Sequence, residues 1–372
     1  MNRSKTVAAC LLVLCIFVTI TGCSNKKEPE QSTKNTSTDL VSPSFKVAFI
    51  YPEVPEDWGW TYENDKARIA IEDYFGNKIE TAYAENVPSG PNTARIIKYF
   101  VENNYNMIFT CSPEYMASTK EVAKDFPDVY FENYEGDKTA NNISTYSERI
   151  YQARYLSGIV AGMQTETNII GYIGGFTTAE EVRGLNAFTI GVQKVNPDAV
   201  VKAVWIKTLK DSEKELKAAN KLLDTGADII TQNQKTTEAL KAAKEKGAWS
   251  IGLYSDMRKL VGDSVLVSVM WAPSEYYIPT VKAAMNGTWE KHSYWGGIKE
   301  GIVKLSNFSP AVSEEIKKKV AEESAMLESG EWDVFDGPIY KQNGKIIIKK
   351  DSSPTEQQLH SMNWLVKGIE NL

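Results

Sequence analysis

Three aromatic side chains crowd a stretch that the surrounding sequence marks as a turn. Asp57-Trp58-Gly59-Trp60-Thr61-Tyr62 follows a short apolar run, Lys46 to Tyr51, and precedes a helical pattern. A loop is ordinarily polar, so indoles there point to a flat partner stacked on Trp60, with Asp57 and Thr61 offering polar contacts. Trp58 or Tyr62 could instead pack the loop against its own body. Comparable groups recur after later apolar runs. Gln232-Asn233-Gln234 combine donors and acceptors, which suits the edge of a heterocycle, and Asn233 is the candidate contact. Asp256 could accept hydrogen bonds from ring N–H, amino or hydroxyl groups, or could cap a helix. Trp271 offers a second ring for the other side of a planar guest. Ser112 and Phe176 complete the candidate set: Ser112 can also cap the helix after it, and Phe176 follows the adjacent glycines Gly174-Gly175, which allow close backbone approach. Glu180 and Arg183, three apart, read as a solvated helical ion pair. Cys111 reads as a small buried hydrophobe.

Reactive chemistry is harder to write. The two histidines, His292 and His360, are isolated, so no metal cluster follows from His and Cys spacing. Neither neighbours a serine or cysteine in a nucleophile motif, and Walker and dinucleotide fingerprints are missing. The balance of 42 Lys+Arg against 48 Asp+Glu gives −6, with no basic patch for nucleic acid. The expectation is a protein that holds a small molecule: no catalytic residue, no metal, no cofactor.

The elements that must position these groups alternate along the chain. Strand patterns at 79–84, 107–110 and 129–133 enclose helices at 93–102 and 114–125. A second series follows a helix at 150–163. Its strands are 169–173, 200–205, 228–231, 249–254 and 265–269, and its helices 179–195, 213–224 and 236–246. Repeated βα units with β-branched strands imply parallel sheets covered on both faces, hence an α/β protein of two doubly wound lobes. Ligands of such sheets bind beyond the carboxyl ends of the strands, so the site belongs in the cleft between lobes.

The N-terminus carries a different signal. Arg3 and Lys5 precede the apolar run Val7 to Ile20, then Thr21-Gly22-Cys23. That order is an export signal, and its apolar run falls short of the roughly 20 residues a membrane span needs. Ile20-Thr21-Gly22-Cys23 fits a lipobox, with Cys23 as the lipid acceptor. Cys10 and Cys15 lie inside the signal, so Cys111 is left without an internal disulfide partner. Residues 1–22 thus read as signal peptide, and 23–44, rich in Lys, Glu, Ser, Thr, Asn and Pro, as a tether. Residues 45–149 read as the N-terminal lobe, 150–270 as the C-terminal lobe, and 271–372 as segments crossing the hinge and completing both.

The lipobox, KVAFIY, DWGWTYENDKAR, RYLSGIVAG, GYIGGF with GVQKVNP, GADIITQ, IGLYSDM and VLVSVMWAPSEYY together resemble the basic membrane protein family of substrate-binding lipoproteins. NGTW, YWGGIKEGIVKLSNFSP, VFDGPIY and MNWLVKGI resemble its purine-binding members. The resemblance runs from Phe45 almost to the C-terminus. It implies a type I periplasmic-binding-protein fold with a hinge and an interlobe cleft. It also implies delivery of a purine to an ABC-transporter permease by a monomer anchored at the extracytoplasmic face through Cys23. Trp60 stands where the family's nucleoside receptors carry a stacking phenylalanine, and Thr61 replaces a neighbouring asparagine. Asp256 matches the ribose-gripping aspartate, while a family lysine is replaced around Met270 and Trp271. That replacement turns the expectation from a nucleoside towards a free base such as adenine. The alternative is a ligand sensor that presents its closed form to a membrane signalling kinase.

Overall fold

The computed structural model describes residues 44–56 and 58–372. The signal peptide, Cys23, the tether up to residue 43 and Asp57 lie outside the described residues.

Among the described residues five strands come first: β1 (Phe45–Ile50), β2 (Ile79–Ala84), β3 (Met107–Thr110), β4 (Tyr130–Tyr134) and β5 (Ile143–Glu148). Their helices are α1 (Trp60–Phe75), α2 (Pro91–Glu102) and α3 (Met116–Ala123). The second series has β6 (Ile169–Gly174), β7 (Val200–Trp205), β8 (Ile229–Gln232), β9 (Trp249–Tyr254) and β10 (Val265–Trp271). Its helices are α4 (Ile150–Gln164), α5 (Ala179–Val195), α6 (Ser212–Asp224), α7 (Glu238–Glu245) and the short α8 (Arg258–Val261). After α9 (Ser274–Met285) come β11 (Ser293–Gly296), β12 (Val303–Leu305) and α10 (Glu314–Ser329). The chain ends with the β13 (Ile339–Tyr340) and β14 (Ile346–Ile348) ribbon, α11 (Glu356–His360) and β15 (Ile369–Asn371).

The first sheet runs β2-β1-β3-β4-β5-β11 and is parallel throughout. The second runs β15-β7-β6-β8-β9-β10-β12, parallel except where β12 meets β10. Stripped of late additions, both share one order, the second strand outside the first and the third on its other side. That is a doubly wound arrangement whose crevice opens where the order reverses, beside β1/β3 and β6/β8. Strands such as Met-Ile-Phe-Thr in β3 are buried on both faces, as parallel strands under two helical layers must be. Helices α4 and α5 pack backbone to backbone, because a Cβ at Gly158 would run into the Phe188 carbonyl and one at Gly191 into that of Tyr155.

The chain passes between the sheets three times: from β5 into α4, from β10 into α9, and from β11 into β12. Helix α9 packs on α1, with Tyr277 Oη donating to Asn64 Oδ1. Three crossings, rather than one linker, thus tie the two halves together. No helix among the described residues is long and apolar enough to cross a membrane.

Candidate ligand-binding site

Two indoles, one on helix α1 of the first lobe and one on a strand of the second, meet one phenol. Trp60 is 9% exposed at the start of α1, and its ring lies 4.7 Å from that of Tyr134 at 59°. Trp271 ends β10, is fully buried, and meets the same Tyr134 edge-on at 6.3 Å and 73°. Tyr134 ends β4, so all three rings stand at the carboxyl ends of strands or just beyond one. Neither indole Nε1 has a hydrogen-bond partner in the protein. Beside Trp60, Thr61 Oγ1 is buried without a partner as well.

The second sheet adds amides and a carboxylate. Gln232 Oε1, both amide atoms of Gln234, and Asp256 Oδ1 are buried and unpartnered. Such atoms cost about 1–3 kcal/mol each when left unpaired, so native proteins keep them few. Here they gather around the ends of β1, β5, β8, β9 and β10, although Tyr172 Oη, Arg183 Nε and Ser264 Oγ are also unpartnered. Three of the eight non-glycine residues with positive φ among the described residues stand here: Trp58, Glu135 and Tyr254 follow or end strands with φ of 56°, 48° and 65°. Non-glycine residues in that region are uncommon and gather at functional sites.

Buried charge positions the polar segment. Arg154, on α4, donates to Thr231 Oγ1 at 3.2 Å, the Gln232 carbonyl at 2.8 Å and Asn233 Oδ1 at 3.1 Å. Glu181, near the start of α5, accepts the amides of Gly175 (2.7 Å) and Phe176 (2.9 Å). Burial still pushes its carboxyl up to about 7. Glu135 rises to about 8, through burial and the neighbouring charge of Glu180. Glu148, ending β5, is driven well above the carboxylate range, by burial first and then by Glu180 and Glu135.

Two contacts bridge the sheets' loops directly. Ser255 Oγ donates to Glu63 Oε1 at 2.5 Å, joining the end of β9 to the first turn of α1. Lys235 lies 2.8 Å from Glu53, close as charges though not aligned as a hydrogen bond.

The expected site residues divide accordingly. Trp60, Thr61, Asn233, Asp256 and Trp271 all stand where strand ends of the two sheets converge. Trp60, Thr61 and Tyr62 belong to the first turn of α1, not to the loop expected from sequence, because extended Gly59 ends the loop earlier. Of the two readings of Asp256, the cap is not the one realised: α8 takes Met257 as its N-cap residue and has no side-chain cap. Ser112 does act as a cap, accepting from the Glu114 amide at 3.3 Å. Phe176 is 44% exposed. Cys111 is buried, and burial raises its thiol to about 12, so it is inert. The solvated Glu180–Arg183 pair is overturned. Arg183 is buried, donates to the Leu359 carbonyl and lies over the Tyr151 and Trp295 rings, because the C-terminal segment folds across α5. Tyr134 and Glu148 escaped sequence reasoning. The β4 pattern broke off one residue early, and the Ser/Thr-rich β5 gave no strand signal, yet the strand-end rule would have found both.

An open groove of about 1160 Å³ also runs between the lobes, past Glu135, Glu180, Arg183, Trp295, Glu356 and His360. It touches none of the expected site residues. The indoles lie outside this groove, buried in a core cluster fed by both lobes, and are the candidate site because flat apolar faces there adjoin polar atoms with no partner in the protein.

Two doubly wound lobes joined by three crossings define the type I periplasmic-binding-protein fold. Solved structures share the fold. An ABC transporter solute-binding protein from Conexibacter woesei superposes with a TM-score of 0.69 at 19% identity, covering 78% of this chain and 98% of its own. A transcriptional activator of the comK gene from Bacillus halodurans gives 0.70 at 23%, covering 77% and 99%. Residues 44–332 match the family described as ABC transporter substrate-binding protein PnrA-like, and the chain belongs to it. A purine-binding protein of Brucella abortus is 42% identical over 328 residues, 88% of this chain and 93% of that one. A Haloferax volcanii protein named for glucose binding in an ABC transporter is 34% identical over 375 residues, 98% of this chain and 93% of its own.

Proposed function

We propose that this substrate-binding protein captures a purine, with a free base such as adenine favoured over a nucleoside, and delivers it to an ABC-transporter permease. The observation that carries the reading is the convergence of Trp60 and Trp271 on Tyr134, from opposite lobes, with polar atoms unpartnered around them. The Brucella relative's name points the same way. The ligand docks against the Trp60 lobe, the second lobe swings over it about the three crossings, and water leaves. Each stacked face contributes roughly 1–3 kcal/mol. Asp256, Asn233 and Asp57 then fix identity through edge hydrogen bonds, because a mismatched ligand leaves buried groups unpaired. Cys23 carries the lipid that anchors the protein at the extracytoplasmic face.

A sugar is the second reading, favoured by the name of the Haloferax relative. Aromatic faces also pack against hexose rings, so calorimetry should set adenine, adenosine and guanosine against glucose. Heat and a thermal shift with a purine but not glucose support the first reading. Glucose binding without any purine response replaces it. Mass spectrometry of small molecules released on denaturation gives an independent answer. For the anchor, Cys23→Ser should move the protein from the membrane fraction to the soluble one.

A further inference from the structure

Glu148 sits where β5 leaves the first sheet and the chain crosses towards α4. Its side chain is nearly buried, at 4% exposure. Oε1 accepts from the Tyr134 hydroxyl at 2.9 Å, and Oε2 has no partner. Tyr134 is the ring that both Trp60 and Trp271 touch, so this carboxyl lies one hydrogen bond from the meeting point of the two indoles. A structural acid would be expected to use both oxygens; a buried one that leaves an oxygen idle is costly unless something else pairs with it.

We propose that Glu148 is the specificity residue that reads the polar edge of the ligand, through the oxygen that Tyr134 leaves free. The inference rests on the purine reading above and names the group that checks it. The surroundings decide the form in which Glu148 acts. From the end of β4 it faces the Tyr134 hydroxyl and Glu135; from α5, Glu180, which is itself offset by the charges of Arg183, Arg154 and Lys235; from β9, the Tyr254 hydroxyl. Its neighbour Arg149 points elsewhere, to the Trp295 carbonyl, Tyr151 and Glu356, and on β11 Trp295 Nε1 donates to the Glu148 main-chain carbonyl rather than to its carboxyl. Burial and two nearby carboxylates therefore favour the proton on Glu148. As a neutral acid it offers an O–H donor on Oε2, while Oε1 keeps a second lone pair beside the bond from Tyr134. A bare ring nitrogen next to an amino group, the six-membered-ring edge of adenine, matches that pair atom for atom. An ionised carboxylate would accept only and would leave that ring nitrogen unpaired.

The sign of the pH dependence follows. The donating form exists below the raised pKa, so affinity for adenine is full at low pH and falls as pH rises through it. Calorimetry with adenine on the full chain, across the range in which adenine stays neutral, should show affinity dropping roughly tenfold or more at the alkaline end, the worth of one buried hydrogen bond. Glu148→Gln supplies an amide N–H and a carbonyl at every pH, so it should keep adenine binding and flatten the profile. Glu148→Leu should lose roughly tenfold at low pH, with thermal unfolding recorded to verify folding. Wild-type protein that binds adenine with a flat profile overturns the proposal. So does a profile that Glu148→Gln leaves unchanged, since another group would then be titrating. Absence of any purine binding by the wild type removes the purine reading itself, and this proposal with it.

Discussion

The two sides of the cleft are made of different chemistry. The first sheet presents rings, Trp60 and Tyr134. The second presents the amides of Gln232, Asn233 and Gln234 with the carboxylate of Asp256, and one ring, Trp271. Their supports differ as well. Behind Tyr134, Glu132 on the same strand accepts from the Tyr276 hydroxyl at 2.6 Å and from Trp289 Nε1 at 2.7 Å, pinning α9 and the segment after it to β4. Next along, Asn133 Nδ2 donates to Thr110 Oγ1 at 2.7 Å, and Thr119 closes that chain at 3.1 Å. The amide side has Arg154 as its main brace, while Gln234 is buried with no side-chain partner at all. The contrast separates a hydrogen-bonded platform of rings from a polar arm whose amides are only partly partnered within the protein.

The largest test concerns the platform. Burial raises Glu132 to about 7, against its Tyr276 and Trp289 hydrogen bonds. A carboxyl raised on folding contributes stability that is full at low pH and is lost as pH rises through its folded value. Between the ordinary glutamate value of 4.5 and about 7, the protein should therefore lose on the order of 3 kcal/mol. Glu132→Gln should remove that loss, and denaturant unfolding at several pH values measures it. An unchanged pH slope would mean the platform is not braced this way.

Next comes the ring itself. Trp60→Ala should weaken purine binding by about 1–3 kcal/mol, while Trp60→Phe keeps most of the affinity, as read by calorimetry. Equal losses from both variants would show that stacking is not what Trp60 supplies.

The arm predicts opposite signs for two properties. Gln234→Met removes a buried amide without partners, so the ligand-free protein should gain about 1 kcal/mol in denaturant unfolding. Ligand affinity should fall at the same time if the amide is completed on capture. A variant that is both less stable and equally tight would dissolve the distinction between platform and arm.

The smallest effect lies at the contact between them. Lys235→Met breaks the partly exposed pair with Glu53, worth about 0.2–1 kcal/mol. Stopped-flow release should quicken a few-fold, and the difference should shrink in high salt.

Much of this was legible in the residues. The alternation of apolar β-branched runs with amphipathic stretches gave both series of βα units, and the strand-end rule led to Trp60, Thr61, Asn233, Asp256 and Trp271. These are local facts, because side-chain periodicity and turn residues depend on near neighbours in the chain. The late elements were not legible. β11 and β12 are three or four residues long and take their strand character from partners already in place, β5 and β10. Arg183 looked solvated on its own helix and is covered by a segment 176 positions downstream.

The sequence by itself therefore determined which elements form and at which ends of them chemistry is placed. Only the tertiary structure decided that two indoles share one tyrosine, that the Gln234 amide lacks partners, and that Glu148 feels the charges of Glu135 and Glu180. Burial and electrostatic environment are sums over whatever the fold packs nearby, whatever its distance along the chain, and no local pattern carries that sum.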